Sequence, residues 1–116
     1  MTHFTIHRQE WHTLTRYILS CEEGTITLEL YKKPQGEKKI QAYICNLWVK
    51  EQYRHRAIAS MLLLEVEKIA REDGHKEVWL EWDRRDTERF VLDWYMRNGY
   101  DDKAFGNNQV LLKKEL

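Results

Sequence analysis

The stretch NLWVKEQYRHRAIASMLLLEVEKIA, Asn46 to Ala70, passes from an apolar strand end through a polar turn into an alanine-rich helical pattern. Apolar residues recur at Ile58, Leu62, Val66 and Ile69, one face of a 3.6-residue period. Gly74 stands where a helix running from Ala57 to Asp73 needs its terminating glycine. A plain turn would use glycine, proline or asparagine, whereas this junction carries Arg54, His55 and Arg56 and then Ala57 and Ala59. The first turn of such a helix presents unpaired backbone N–H groups beyond the preceding strand, and the helix dipole adds positive character there. Residues 54 to 59 therefore read as an anion cradle. The small side chains of Ala57 and Ala59 would let a diphosphate approach the main chain closely. The plainer reading is that the arginines are solvated and the alanines are good helix formers.

Working outward, IQAYICNLWV (Ile40 to Val49) is rich in aromatic and β-branched residues and apolar on both parities towards its end, as in a central strand. Before it, PQGEKK holds the only proline, Pro34, beside Gly36, and reads as a hairpin turn. In TITLELYKK, Ile26, Leu28 and Leu30 alternate with Thr25, Thr27 and Glu29, the pattern of a half-buried antiparallel strand. Residues 1 to 24 are the least legible: Tyr17, Leu19 and Cys21 alternate like a strand, while Trp11, Leu14 and Ile18 fit a helical stripe. The strand is the reading taken. Downstream, EVWLEW is a strand and DTERFVLDWYMRNGY a helix, with Asp86 as its N-cap, Phe90–Trp94 and Val91–Tyr95 as i,i+4 pairs, and Gly99 as its end. The segment FGNNQVLLKKEL turns at Gly106 to Asn108 and finishes as a strand. The fold class is mixed α/β: antiparallel N-terminal strands, then strand–helix–strand–helix–strand. The Ile40 to Trp82 unit is expected to be a right-handed crossover between parallel strands.

The 116 residues make a single domain, 1–116, since two halves would each be too small to bury a core. Nineteen basic and nineteen acidic residues cancel, which argues against a broad electrostatic grip on nucleic acid or an anionic membrane. No apolar run is long enough for a membrane span and no signal-peptide core opens the chain, so a cytoplasmic protein with Cys21 and Cys45 as free thiols is expected. His3, His7, His12, His55 and His75 form no metal-ligand spacing with the cysteines. Arg84 and Arg85 beside Asp83 and Asp86 read as a mixed-charge loop.

NLWVKEQYRHRAIASMLL, followed after a strand by WYMRNGY and a final VLLKKEL, resembles the GNAT family of N-acetyltransferases over about two-thirds of the chain, from Ile40 onward. The family's phosphate-loop pattern falls on Arg54, Ala57 and Ala59, and its later tyrosine and glycine–aromatic pair fall on Tyr95, Gly99 and Tyr100. The resemblance implies transfer of an acetyl group from acetyl-CoA to a primary amine, with no metal. It implies that strands Ile40–Val49 and Glu77–Trp82 splay, that backbone groups at Leu47 and Val49 pair with the pantetheine arm, and that Arg54, His55, Arg56, Ala57, Ile58, Ala59 and Ser60 receive the pyrophosphate. Tyr95 would stand near the sulfur as an acid.

The chemistry needs a neutral amine, a donor for the oxyanion and a proton for the leaving thiolate. Deprotonating a lysine-like amine at pH 7 costs about 4.6 kcal/mol, so a base is expected. Glu81 is chosen over Asp83 and Glu51 because it stands at the exit of the second parallel strand. A backbone N–H at Leu47 or Trp48 would serve the oxyanion.

Three departures from the pattern stand out. The loop's first glycine is Ala57, which is harmless inside the helix but strained at positive φ. Glu88 replaces a common asparagine. The N-terminal region is short for the two helices that usually wall the acceptor site. The acceptor side is then open, completed by a second subunit in a homodimer, or shaped for a bulky amine. Its substrate is a small-molecule amine or a protein amino group. The alternative function is an inactive acyl-CoA-binding or protein-interaction module.

Overall fold

The structure, a computed structural model, describes residues 3–54 and 57–116. His55 and Arg56 of the expected phosphate loop lie outside the described residues. The order is β1 (Thr5–Glu10), β2 (Leu14–Ser20), β3 (Gly24–Gln35), β4 (Ile40–Val49), a 3-10 turn at Glu51–Tyr53, α1 (Ile58–Glu72), β5 (Glu77–Asp83), α2 (Arg89–Arg97), β6 (Asp101–Phe105) and β7 (Gln109–Glu115). All seven strands form one sheet in the order β1-β2-β3-β4-β5-β7-β6. Among the described residues β4 and β5 are the one parallel pair, joined by α1, as the Ile40 to Trp82 pattern predicts.

Cross-strand register assigns the two faces. Leu19, Ile26, Leu28, Ala42, Ile44, Val78, Leu80, Val110 and Leu112 share one face and are buried together. Leu62, Leu63, Val66 and Ala70 of α1 and Leu92 and Tyr95 of α2 complete that core. Tyr95 meets Tyr100 edge-on at 6.0 Å, and the Tyr100 hydroxyl donates to Glu67 of α1 at 2.7 Å, so both helices lie on this face. The opposite face carries Arg16, Thr27, Glu29, Tyr43, Cys45, Trp79 and Glu81 and, among the described residues, no helix.

Four local readings need correction or completion. Residues before Leu14 form a strand, β1, tied to β2 by a tight turn in which Trp11 N–H donates to Leu14 C=O at 2.9 Å. The strand reading of residues 14–20 holds, and neither of the two helices that usually wall the acceptor site occurs among the described N-terminal residues. Asp86 is not the cap of α2: its N–H and that of Thr87 both bond Asp83 C=O, closing a turn, and extended Glu88 is the N-cap. Trp82 Nε1 donates to the Glu88 carbonyl at 3.2 Å and anchors that delayed start. Strand β6, which the sequence did not suggest, pairs with β7 around the Gly106–Asn108 turn. Gly99, at φ 97°, ends the helical segment as expected, and a Cβ there would meet Lys114 Cε at 3.2 Å.

Candidate active site: a cleft where two parallel strands part

Strands β4 and β5 are paired only at Tyr43–Trp79 and Ile44–Leu80, although both run several residues further. Two sequence features separate them. Asn46 adopts φ 54°, and the register with β3 slips between Thr25 and Thr27, so Asn46 and Leu47 together oppose Ile26 as a bulge. Gly24 allows that bend to close on β3, because a Cβ there would stand 2.5 Å from the Trp48 carbonyl oxygen. Strand β5 meanwhile follows β7 through seven consecutive pairs and leaves β4.

The gap is a cavity of about 520 Å³ lined by Ile44, Cys45, Leu47, Trp48, Leu80, Glu81, Asp83 and Tyr95 among others. It joins a groove of about 770 Å³ on the helix side, lined by Val49, Arg54, Ala57, Ile58, Ala59, Ser60, Phe90 and Trp94 and sharing Leu47, Trp48 and Tyr95. Every described residue of the sequence-predicted site therefore borders one or other of these two adjoining cavities.

Ala57 is the N-cap of α1 at φ 63° and ψ 9°, in the left-handed region, and supplies no side-chain cap. The position needs a positive φ, so the glycine-to-alanine departure costs about 1–2 kcal/mol. The backbone path is nonetheless kept. Helical bonding begins with Met61 N–H to Ala57 C=O at 3.0 Å, so the N–H groups of Ile58, Ala59 and Ser60 bond no described residue. No acidic residue stands in the first turn of α1 to compete for an anion. The Arg54 guanidinium donates from Nε to the Val49 carbonyl at 3.2 Å, which ties the loop back to the end of β4.

Tyr95 is only 9 % exposed, and burial pushes its hydroxyl up to about 12, so it is a phenol and a donor at neutral pH. That hydroxyl makes no hydrogen bond to another described residue. Glu81 is solvent-facing and has no ion pair or hydrogen bond among the described residues; its charge, secondary to burial, helps hold the Tyr43 hydroxyl well above the ordinary range. Asp83 is committed elsewhere: Arg85 donates to both its oxygens, at 3.0 and 2.7 Å, and this holds the carboxyl far below the usual range. Glu51 lies in the 3-10 turn and borders neither cavity. Cys45 reaches the cleft, but burial and then Glu29 raise its thiol to about 11, which leaves it a poor nucleophile.

The sequence reading missed the buried network behind Tyr95. Glu67, 1 % exposed, accepts from Tyr100 at 2.7 Å and from Lys114 Nζ at 2.9 Å, coupling α1, the end of α2 and β7. Its signal was a charged residue on the apolar stripe of α1, one position after Val66.

A mixed sheet whose one parallel pair opens beside an uncapped helix N-terminus has the architecture of the acyl-CoA N-acyltransferases. Residues 3–100 match the acetyltransferase (GNAT) family, and the chain belongs to that family. The fold is similar to the PaiA N-acetyltransferase of Thermoplasma acidophilum in complex with coenzyme A, with a TM-score of 0.68 and 24% identity over 90% of this chain and 62% of that one. It is also similar to an acetyltransferase of Bacillus cereus (TM-score 0.67, 22% identity, 100% and 74% of the two chains). A Bacillus subtilis acetyltransferase in complex with CoA gives a TM-score of 0.69 at 14% identity, over 98% of this chain and 99% of that one. At such identities the likeness is one of fold. The chain spans less than two-thirds of the length of the PaiA protein. No curated protein matches it in sequence. Among the described residues no helix is long and apolar enough to cross a membrane, and no group of three or more His, Cys, Asp or Glu residues gathers as for a metal ion.

Proposed function

We propose that this chain is a cytoplasmic N-acetyltransferase that moves the acetyl group of acetyl-CoA directly to a primary amine. The observation that carries the reading is the unzipping of β4 from β5 beyond Ile44 and Leu80, with the Tyr95 hydroxyl at the junction of cleft and groove. In that gap the free edge of β4 offers the main-chain groups of Leu47 and the N–H of Val49 to the pantetheine amides, as an added strand would use them, while the Val49 carbonyl is held by Arg54. The amides of Ile58, Ala59 and Ser60, with Arg54 at the rim, suit the pyrophosphate. Cofactor roles for His55 and Arg56 rest on the sequence of the junction and on the resemblance.

Glu81, acting through water, takes the first proton of the acceptor ammonium. The neutral nitrogen attacks the thioester carbon, and the developing oxyanion is met by the Leu47 N–H, since Trp48 pairs with Thr25 and turns its own N–H towards β3. When the carbon–sulfur bond breaks, Tyr95 gives its proton to the thiolate and is reprotonated by the second proton of the amine. A carboxylate with no cation of its own suits the first role, and a phenol held protonated suits the second.

The test measures free thiol from acetyl-CoA over a panel of amines, beside acetyl-CoA-induced thermal shifts. Steady thiol release together with a shift that Ala59→Glu abolishes is the expected result. Saturable binding without release from any amine would favour the binding module, and an undiminished shift in Ala59→Glu would place the pyrophosphate elsewhere.

A further inference from the structure

We propose that the acceptor is a lysine side chain carried by a polypeptide, which docks on the helix-free face of the sheet. This rests on the cleft being the acyl-transfer site proposed above. The cavity passes through the sheet: Ile44, Leu80 and Tyr95 line it on the helix side, while Thr25, Cys45 and Glu81 reach it from the other face. The helix-side groove runs to the first turn of α1 and is the cosubstrate's. The acceptor therefore enters from the opposite face.

Two residues mark that entrance. The bulge at Asn46 turns Trp48 onto the face of Thr25, its register partner, where the indole is 52 % exposed. A strand without the bulge would have put Trp48 in the core with Ala42 and Ile44. Beside it is Glu81. Strands β3 and β5 place four carboxylates on this face, and three are neutralised: Glu29 by Arg16 at 2.7 Å, Glu77 by Lys113 at 3.3 Å and Asp83 by Arg85 at 2.7 Å. Of these four, Glu81 alone has no ion pair among the described residues. An exposed indole and an unmatched carboxylate at one mouth complement an apolar stem that ends in an ammonium, the form of a lysine side chain.

The surroundings select a polypeptide over a small amine. Sites for small ligands enclose most of the ligand's surface. Here no helix covers this face among the described residues, so a small amine entering from it would meet Thr25, Cys45, Trp48 and Glu81 and keep its outer side in solvent. A polypeptide brings its own area and can cover the half-buried Tyr31 and Tyr43 beside the cleft. The transfer balances as above: the ε-ammonium loses two protons, one to Glu81 and one by way of Tyr95 to the sulfur, the carbon–nitrogen bond forms as the carbon–sulfur bond breaks, and CoA leaves as the thiol.

The experiment uses the full chain with acetyl-CoA. Its probes are a pool of N-terminally blocked peptides with one lysine each, compared with spermidine, free lysine and kanamycin. Thiol release gives kcat/KM, and mass spectrometry locates the acetyl group. The proposal expects ε-acetylated peptides with kcat/KM at least about tenfold above any small amine. It expects Trp48→Ala to lower peptide kcat/KM by about tenfold, and Glu81→Gln to do so with the acetyl-CoA KM changed less than about twofold. A small amine used as well as the best peptide overturns it, as does full peptide turnover by Trp48→Ala. If no peptide is acetylated while acetyl-CoA still raises the melting temperature, the polypeptide acceptor fails and the cosubstrate site stands; without a thermal shift, the site itself fails.

Discussion

Removing the Glu67 carboxylate tests how the site's framework is held. Glu67→Ala would leave the buried Tyr100 hydroxyl and the Lys114 ammonium without their shared partner. Hydrogen bonds to a charged group contribute roughly 1.5–3 kcal/mol each, and breaking a buried ion pair from one side costs about 3–5 kcal/mol. The Lys114 side chain is 23 % exposed and can swing to water, whereas Tyr100 at 1 % cannot. The loss should therefore fall near the lower end, roughly 3 kcal/mol, a large share of a typical domain's 5–15 kcal/mol. Glu67→Gln keeps an acceptor for Tyr100 and should lose about half as much. The double variant Glu67→Met, Lys114→Met replaces the pair by apolar groups of similar length and should recover to within about 1–2 kcal/mol of the parent. Urea unfolding at pH 7 with matched m-values reads all three. A cost below about 1 kcal/mol for Glu67→Ala would refute the argument, because it would mean that the carboxylate is hydrated or its partners find water.

Three further outcomes are expected. Ala57→Gly relieves a left-handed alanine, gaining about 1–2 kcal/mol and losing roughly 0.4–1 to unfolded-state entropy; a higher midpoint in urea is the result, and a lower one would show that the methyl group is needed. Alkaline pH should destabilise the fold. Cys45 (near 9, raised to about 11), Tyr95 (near 10, raised to about 12) and the more strongly raised Tyr43 and Tyr100 keep protons that the unfolded chain gives up. Stability is then full below about pH 8 and declines as pH rises above about 9; a flat profile in urea from pH 8 to 10.5 would contradict this. Tyr95→Phe removes a hydroxyl that makes no hydrogen bond to a described residue, so it should cost little stability while lowering turnover about a hundredfold at unchanged acetyl-CoA affinity; undiminished turnover would take Tyr95 out of the mechanism.

The strand–helix–strand core was legible because β3 and α1 carry periods of 2 and 3.6 and β4 is a long run of aromatic and β-branched residues. Strand β1 was not, since THRQ-type polar residues surround a single apolar Ile6 in an edge strand that contributes nothing to the core. Strand β6, Asp101 to Phe105, is likewise an exposed edge without alternation. The start of α2 was misplaced because Asp86 is as good a turn residue as a cap, and the Asp83–Thr87 turn used it first. At the site, the loop and Tyr95 could be matched by spacing. The bulge that exposes Trp48 could not, because it depends on the left-handed φ of Asn46 and on Gly24 across the ladder. The parting of β4 and β5 was reached only through the family resemblance, because it is a property of two strands' partners and not of either sequence.

The most direct measurement is a crystal structure of the chain soaked with CoA. The account predicts the pantetheine arm extended between β4 and β5, bonded to main-chain groups at Leu47 and Val49. The diphosphate should rest on the amides of Ile58 to Ser60, with the sulfur within about 3–4 Å of the Tyr95 hydroxyl. CoA bound outside the gap, or β4 and β5 zipped past Ile44 and Leu80 with no room between them, would contradict it.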